Sequence, residues 1–428
     1  MAFTDHDSDL AREVREFVTR GFVPHYGQLS ERFPANATWR RMRELGSQLW
    51  LDTGDIEEVD ALWTGEMTAL TTNNTLLNRE VQKGIYDELI VEASGLVDSH
   101  PRLTERQRKL ELAFILNARH GLRLVEKFDA RVSVEEHTDL ADSLDEAVNY
   151  GRRFHAVCPQ RFIVKVPMTP AGVLAARRLG AEGIPVNQTL GFSARQNYVS
   201  ASIAAPAFVN VFLGRLNSFV ADNGLGDGRN VGERATLASQ AAVALLRGQA
   251  GLKTRQIAAS IRGGEQIRDL AGVDVYTMPP KAAREFLDLH LRARDLTDMT
   301  SAKLDVRLRD GVDGRAIRLD TLWDVDQGLK ACVEKLRGER LDEFQPGQLA
   351  KFFADNGCGD VFVDWSDSQV RTSAEEGKIP RLENWRELLA KGRIGLDSLM
   401  NLAGLNSFRG DQEKMDHRVR EVAAAVGR

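Results

Sequence analysis

Arg161-Phe162-Ile163-Val164-Lys165-Val166-Pro167-Met168-Thr169 is a short apolar, β-branched run with one lysine at its centre and a proline near its end. Runs of this type form strands buried on both faces, the kind that build a parallel sheet. The lysine needs an explanation, because an unpaired ammonium away from water is strongly unfavourable. Lys165 either reaches water from a strand end along its alkyl stem, meets a counter-charge, or serves as an amine nucleophile. For a lysine considered alone, the first is the ordinary outcome. The rest of the chain decides among them.

On the N-terminal side, apolar positions at helical spacing mark entry helices near 5–20 and 37–48, with Pro24 and Pro34 between them. Leu49–Gly54 predicts a buried strand carrying Asp52 at its end, a helix follows at about 55–65, and Ala69–Asn74 predicts a second strand. A long helical stretch over roughly 78–119, broken near Pro101, leads to a third strand candidate at Arg123–Asp129. A helix at about 138–156 then precedes the lysine strand. Beyond it, Thr169-Pro170 opens a helix through about 180, with Pro170 where a missing N–H costs nothing. Ile184–Leu190, Phe208–Gly214, Arg255–Ser260 and Val273–Met278 read as strands five to eight. Strands alternating with helices imply βαβ units and a parallel sheet. Eight units between residues 49 and 278 predict an α/β chain with a (β/α)8 TIM barrel. The doubly wound alternative lacks the Gly-rich phosphate turn after its first strand.

After about residue 297 the alternation stops. Residues 298–320 are charged and irregular, and helical patterns follow at roughly 324–337, 346–356, 383–391 and 411–426, with one strand-like run at Val361-Phe362-Val363. The expected organisation is a barrel with N-terminal helices over 1–297 and a mainly helical extension over 298–428, packed on or beside the barrel.

Composition narrows the function classes. A formal net charge of −5 gives no electrostatic reason to expect a nucleic-acid partner. Cys158, Cys332 and Cys358 are too few and too scattered for a disulfide framework or a zinc site. The first residues lack a basic segment followed by an apolar one, and no uncharged apolar run approaches the roughly 18–20 residues that cross a bilayer. The expectation is a cytoplasmic protein without membrane partners; a homodimer is left open as its assembly.

In such a barrel the active site lies at the C-terminal ends of the strands. Polar residues fall there: Asp52 on the first strand, Thr71 and Asn73 on the second, Lys165 on the fourth, Asn187 and Thr189 on the fifth. Asn210 and Arg215 flank the sixth, and Ser260 and Arg262 end the seventh. Each has a plain structural alternative: Asp52 and Asn73 as helix caps, Arg215 and Arg262 in surface ion pairs, Asn187 in a turn. Those alternatives must hold separately at every strand, which makes the common site the better account. A buried amine can attack a carbonyl, a carboxylate can move a substrate hydroxyl proton, and two arginines can fork a phosphate. Together they describe aldol chemistry through an imine on a phosphorylated sugar, with no metal and no cofactor.

The motifs resemble the transaldolase family. Leu51-Asp52-Thr53-Gly54-Asp55-Ile56 resembles its first-strand motif, and Thr71-Thr72-Asn73 followed by Thr75-Leu76 its Thr-Thr-Asn-Pro-Ser-Leu motif, with Asn74 in place of proline. Ile163–Pro167 and Glu182–Ser193 match the imine strand and the next one, while Phe212-Leu213-Gly214-Arg215 and Ala259-Ser260-Ile261-Arg262 match the phosphate side. Val273–Pro280 resembles the eighth strand and Asp411–Met415 the C-terminal helix.

The resemblance implies Lys165 as imine former, Asp52 as acid/base on the C4 hydroxyl, and Asn73 and Asn187 holding the three-carbon unit. It also implies Thr189 positioning a proton-shuttling water, Arg215, Arg262 and Ser260 binding phosphate, and Phe212 lining the pocket. The implied activity moves a dihydroxyacetone unit from sedoheptulose 7-phosphate or fructose 6-phosphate to glyceraldehyde 3-phosphate or erythrose 4-phosphate, in the pentose phosphate pathway. An aldolase acting on a non-standard sugar phosphate and a non-catalytic sugar-phosphate binder are the alternatives.

Two departures stand out. The family's third strand carries a glutamate in a Thr-Glu-Val-Asp-Ala-Arg context. Against Val125-Glu126-Lys127-Phe128-Asp129-Ala130-Arg131, an ungapped alignment puts Lys127 there and a one-residue bulge puts Glu126 there. Neighbouring strand residues face opposite sides, so one of them is chosen, and Glu126 is preferred as the catalytic residue. The second departure is Asn210, where the family usually has serine.

Overall fold

Short β-branched runs pair in chain order into a closed, wholly parallel barrel: β1 (Gln48–Asp52), β2 (Met67–Thr71), β3 (Arg131–Glu135), β4 (Phe162–Pro167), β5 (Val186–Thr189), β6 (Phe208–Phe212), β7 (Arg255–Ala259) and β8 (Val275–Met278). The computed structural model describes residues 5–27 and 32–426. Helices alternate with the strands and cover the barrel, as the sequence pattern predicts. The entry helices are Asp9–Thr19 and Ala37–Glu44. Thr169 caps the helix Pro170–Ala181 by accepting from the Gly172 N–H, with Pro170 in its first turn.

Register sets the site. Glu135 pairs beside Lys165, and Lys165 beside Asn187. In-register neighbours face the same side of a sheet, so these three form a row on the inner wall. At the opposite end the Trp50 and Phe208 rings meet edge to face at 4.7 Å and close the barrel floor. Among the described residues, no helix is long and apolar enough to cross a membrane.

The third strand is not where the sequence pattern put it. Arg123–Phe128 is the end of a 24-residue helix, Glu105–Phe128, and the strand is Arg131–Glu135. Buried Leu110, Phe114, Ala118, Leu122, Val125 and Phe128 continue one helical stripe without a break, so the apolar spacing extends the helix through the supposed strand. Asp129, left-handed at φ 50°, ends it.

The extension forms the helices Gln327–Arg337, Pro346–Asp355, Asp367–Glu376, Leu382–Ala390 and Leu396–Val426. The helix Asp367–Glu376 has no counterpart in the sequence reading. The run Val361-Phe362-Val363 is not a strand: Val361 and Phe362 are buried by packing, with Phe362 edge-on to Phe353 at 5.0 Å. One continuous apolar core joins barrel and extension. A buried charge cluster pins them together. Arg195, on the helix Ala194–Ile203, donates to both Asp397 oxygens at 2.7 Å and to Asp360 at 2.7 Å, and Ser193 donates to Asp397 at 2.6 Å. Asp397 opens the 31-residue helix Leu396–Val426. That helix then crosses the barrel mouth, where Asn401 donates to the Leu190 carbonyl and Thr75 donates to Asp411.

Candidate active site

A cavity of about 380 Å³ opens at the C-terminal ends of the strands. Its wall contains Asp52, Thr71, Asn73, Lys165, Asn187 and Thr189 from one half of the barrel. Asn210, Phe212, Arg215, Ser260 and Arg262 complete it from the other. A larger groove of about 810 Å³ runs between the end of β4 and the extension, but its lysine, Lys351, is exposed and paired to Asp355.

Lys165 is buried at the deep end, its Nζ 3.5 Å from Glu135 Oε1 and donating to the Thr72 carbonyl at 3.2 Å. It therefore has a counter-charge and does not reach for bulk water. Glu135 is itself buried, and its Oε2 accepts from the Asn74 N–H at 3.0 Å. Burial pushes the Glu135 carboxyl above the usual range, against the pull of Lys165. Burial pushes Asp52 up to about 6; Lys165 pulls it back, while Glu135 adds to the rise. A carboxyl titrating there is poised to take and return protons near neutral pH.

The neutral groups form a connected row. Asn187 donates to Ser133 at 3.1 Å and accepts from the Asn210 Nδ2 at 3.2 Å, while Asn210 Oδ1 accepts from the Gly191 N–H at 3.2 Å. Thr277 donates to Thr71 at 2.8 Å. The buried Thr189 hydroxyl has no hydrogen-bond partner among the described residues. Asn73 caps the helix Asn74–Gln82 by accepting from the Leu76 N–H at 2.8 Å and also lines the cavity, so its capping and site readings both hold.

At the outer end, Arg215 is buried with its Nη1 unpartnered among the described residues, and burial together with the neighbouring Arg262 lowers its guanidinium to about 10. Gly214 allows the two arginines to approach: a Cβ there would lie 2.2 Å from the Ser260 carbonyl oxygen and 2.7 Å from the Arg262 side chain. Ser260 turns the chain after β7 at φ 60°, a conformation uncommon for a non-glycine residue. Neither arginine has an ion-pair partner among the described residues. A buried cation without a counter-ion, aimed into a cavity, is suited to an anionic ligand.

Glu126 does not belong to this site. It lies on the helix Glu105–Phe128 and accepts from the Val23 N–H at 3.2 Å, outside the barrel. Lys127 is exposed, 3.3 Å from Asp60. The carboxylate that faces Lys165 is Glu135, which the alternation in Arg131-Val132-Ser133-Val134-Glu135 marks as a strand end. Two residues of the extension also went unrecognised. Phe408 places its ring 5.8 Å from Lys165 Nζ and 5.6 Å from the Arg215 guanidinium carbon, and Lys378 lines the outer end. No local motif marks either one.

A parallel barrel with a buried amine, two carboxyls and unpartnered arginines at its mouth has the layout of an aldolase-type enzyme. The chain belongs to the transaldolase/fructose-6-phosphate aldolase family, whose model matches residues 49–344. A probable transaldolase of Thermus thermophilus is 33% identical over 244 residues, 56% of this chain and 90% of that protein. A probable transaldolase of Kosmotoga olearia is 33% identical over 235 residues, 54% and 84% of the two chains. A transaldolase of Chlamydia pneumoniae is 30% identical over 274 residues, 61% and 80%. The family match ends before Pro346, so the helices that carry Phe408 and flank Lys378 lie beyond it.

Proposed function

We propose that the protein is a transaldolase that moves a dihydroxyacetone unit between sugar phosphates through an imine on Lys165. The observation that carries this reading is the Lys165–Glu135 pair, 3.5 Å apart and buried, beside a carboxyl raised to about 6. The Lys165 amine adds to the ketose carbonyl of sedoheptulose 7-phosphate or fructose 6-phosphate, and the adduct loses water to give the imine. Asp52 takes the C4 hydroxyl proton as the C3–C4 bond breaks, releasing an aldose phosphate. The electron pair stays on the three-carbon unit, delocalised into the imine. Asn73 and Asn187 hold its hydroxyls until glyceraldehyde 3-phosphate or erythrose 4-phosphate arrives and the steps run in reverse. Glu135 and Thr189 handle protons at the imine through a water, with Glu135 in the position that the sequence pattern gives to Glu126. Arg215, Arg262 and Ser260 take the phosphate. The setting is the pentose phosphate pathway of the cytoplasm, and no metal or cofactor is required by these steps.

Borohydride reduction with fructose 6-phosphate tests the imine. A stable adduct on Lys165, absent in Lys165→Ala, is expected, and its absence from the unsubstituted protein removes the reading. Acceptor dependence tests transfer: fructose 6-phosphate consumed equally fast without erythrose 4-phosphate makes the protein a free aldolase.

A further inference from the structure

The helix Asp367–Glu376 ends at Gly377, whose φ of 79° lies in the left-handed region that glycine adopts without strain. The next residue, Lys378, lies in the wall of the barrel cavity. The loop that carries it is tied down on both sides. The Asn223 Nδ2 donates to the Pro380 carbonyl at 3.0 Å, and its Oδ1 accepts from the Leu382 N–H at 2.8 Å. Glu376 accepts from the Arg381 N–H, the Asn384 amide and the Trp385 indole at 3.2, 2.6 and 2.8 Å. Asn223 ends the helix Leu213–Asp222, whose first turn holds Arg215. One helix of the barrel therefore positions both Arg215 and, through Asn223, the loop of Lys378.

The charges nearest Lys378 are mainly positive, with Asp411 the opposing one. Arg79, Arg215, Arg262 and Arg284 line the same cavity, and none of them, nor Lys378, has an ion-pair partner among the described residues. Partial desolvation at the cavity wall lowers the Lys378 amine below the ordinary lysine range, Arg215 lowers it further by like-charge repulsion, and Asp411 partly offsets this, while the residue remains exposed to solvent. Cations that outnumber the nearby carboxylates repel one another, and an anion placed among them relieves that repulsion.

We propose that Lys378 is an additional anion-binding residue of this cavity, delivered by the extension, which meets a phosphate monoester already held by Arg215 and Arg262. The inference rests on the sugar-phosphate reading for its natural ligand, though not for the binding itself. It also accounts for the extension, because with Lys378 in place phosphate binding draws on a part of the chain that the family match does not reach.

Titration of the full-length protein with inorganic phosphate tests it without catalysis. Lys378→Met keeps the alkyl stem and removes the charge, so phosphate affinity should fall about 10-fold, as for the loss of one charge-assisted hydrogen bond. Lys378→Arg should recover most of it. Lys391→Ala, which removes an equal charge from an exposed site paired to Glu387, should change affinity less than twofold. With fructose 6-phosphate and an acceptor, KM should rise by the same factor as the phosphate affinity falls, at unchanged kcat. Unchanged phosphate affinity in Lys378→Met overturns the proposal. So does an equal loss in Lys391→Ala, which would mean long-range charge alone, or failure of the unsubstituted protein to bind phosphate. If sugar phosphates are not turned over at all, the transaldolase reading fails while the phosphate titration still decides on Lys378.

Discussion

The two ends of the cavity are built on opposite electrostatic plans. At the deep end, charges of both signs meet: Lys165 sits 3.5 Å from Glu135, Asp52 is raised to about 6, and the Asn187–Asn210 amides join in a hydrogen-bonded row. At the outer end, Arg215 and Arg262 face the same space without an ion-pair partner among the described residues. The deep end is arranged so that protons move over short distances among groups of adjusted acidity. The outer end is arranged to attract and hold. Substitutions deep in the cavity should therefore act mainly on kcat, and substitutions at the outer end mainly on KM.

The largest expected effect is at Asp52. Asp52→Asn keeps the shape and removes the base, and kcat should fall by about 10³- to 10⁴-fold with little change in KM. The unsubstituted enzyme should lose kcat/KM as pH falls through about 6, where the carboxylate takes up a proton, and steady-state rates from pH 5 to 8 would show it. The same shift predicts a gain in stability for the variant. An ionised Asp52 costs folding free energy above its folded pKa of about 6 and costs nothing below the unfolded value of about 4. Asp52→Asn should therefore unfold later at pH 8, by up to about 3 kcal/mol, and the gain should vanish by about pH 4. A variant that is both active and no more stable would break the contrast at its strongest point.

Glu135 comes next. Glu135→Gln should lower kcat about 100-fold, because the group that exchanges protons beside the amine is gone while its shape remains. Glu126→Gln is the control, expected to leave the rate within twofold because Glu126 lies outside the barrel, accepting from the Val23 N–H. Equal rates for the two variants would take Glu135 out of the relay.

Arg215→Ala should reverse the pattern, raising KM for sugar phosphates about 30- to 100-fold while kcat stays within a few-fold. The effect should persist as salt is added, since a buried cation–phosphate pair is screened far less than an exposed one. A loss confined to kcat would place Arg215 with the deep end.

How far the sequence reached follows the same division. Asp52, Lys165 and Asn187 lie on short strands whose β-branched runs are bounded by helix signals, so the barrel and most of its deep end were readable. Glu135 was missed because the Asp129-Ala130-Arg131 triplet drew the alignment onto a helix end, where Leu124, Val125 and Phe128 also satisfy a strand pattern. Period alone does not separate a buried strand from the last turns of a buried helix. The uninterrupted stripe from Leu110 to Phe128 was the better signal, and the alternation in Arg131–Glu135 the confirming one. Lys378 and Phe408 reach the cavity by tertiary packing of the extension. A lysine after a helix-ending glycine and a phenylalanine on a 31-residue helix carry no local mark of that destination.

Phe408 sharpens the comparison because it touches both ends. Its ring lies 5.8 Å from Lys165 Nζ, 5.6 Å from the Arg215 guanidinium carbon and 6.3 Å from the Phe212 ring. A ring face attracts both cations and keeps water from the space between them, with about 0.5–2 kcal/mol at stake. Phe408→Leu retains apolar volume and removes the π face, so the expected loss in kcat/KM is about threefold to tenfold, the smallest of the series. Which parameter carries the loss is the informative part. Both cations are buried, but Arg215 has no ion-pair partner among the described residues, whereas Lys165 already has Glu135. The ring should therefore matter more to Arg215, and the loss should appear in KM. A kcat effect with unchanged KM would instead assign Phe408 to the amine, and the boundary between the two ends would move outward past the ring.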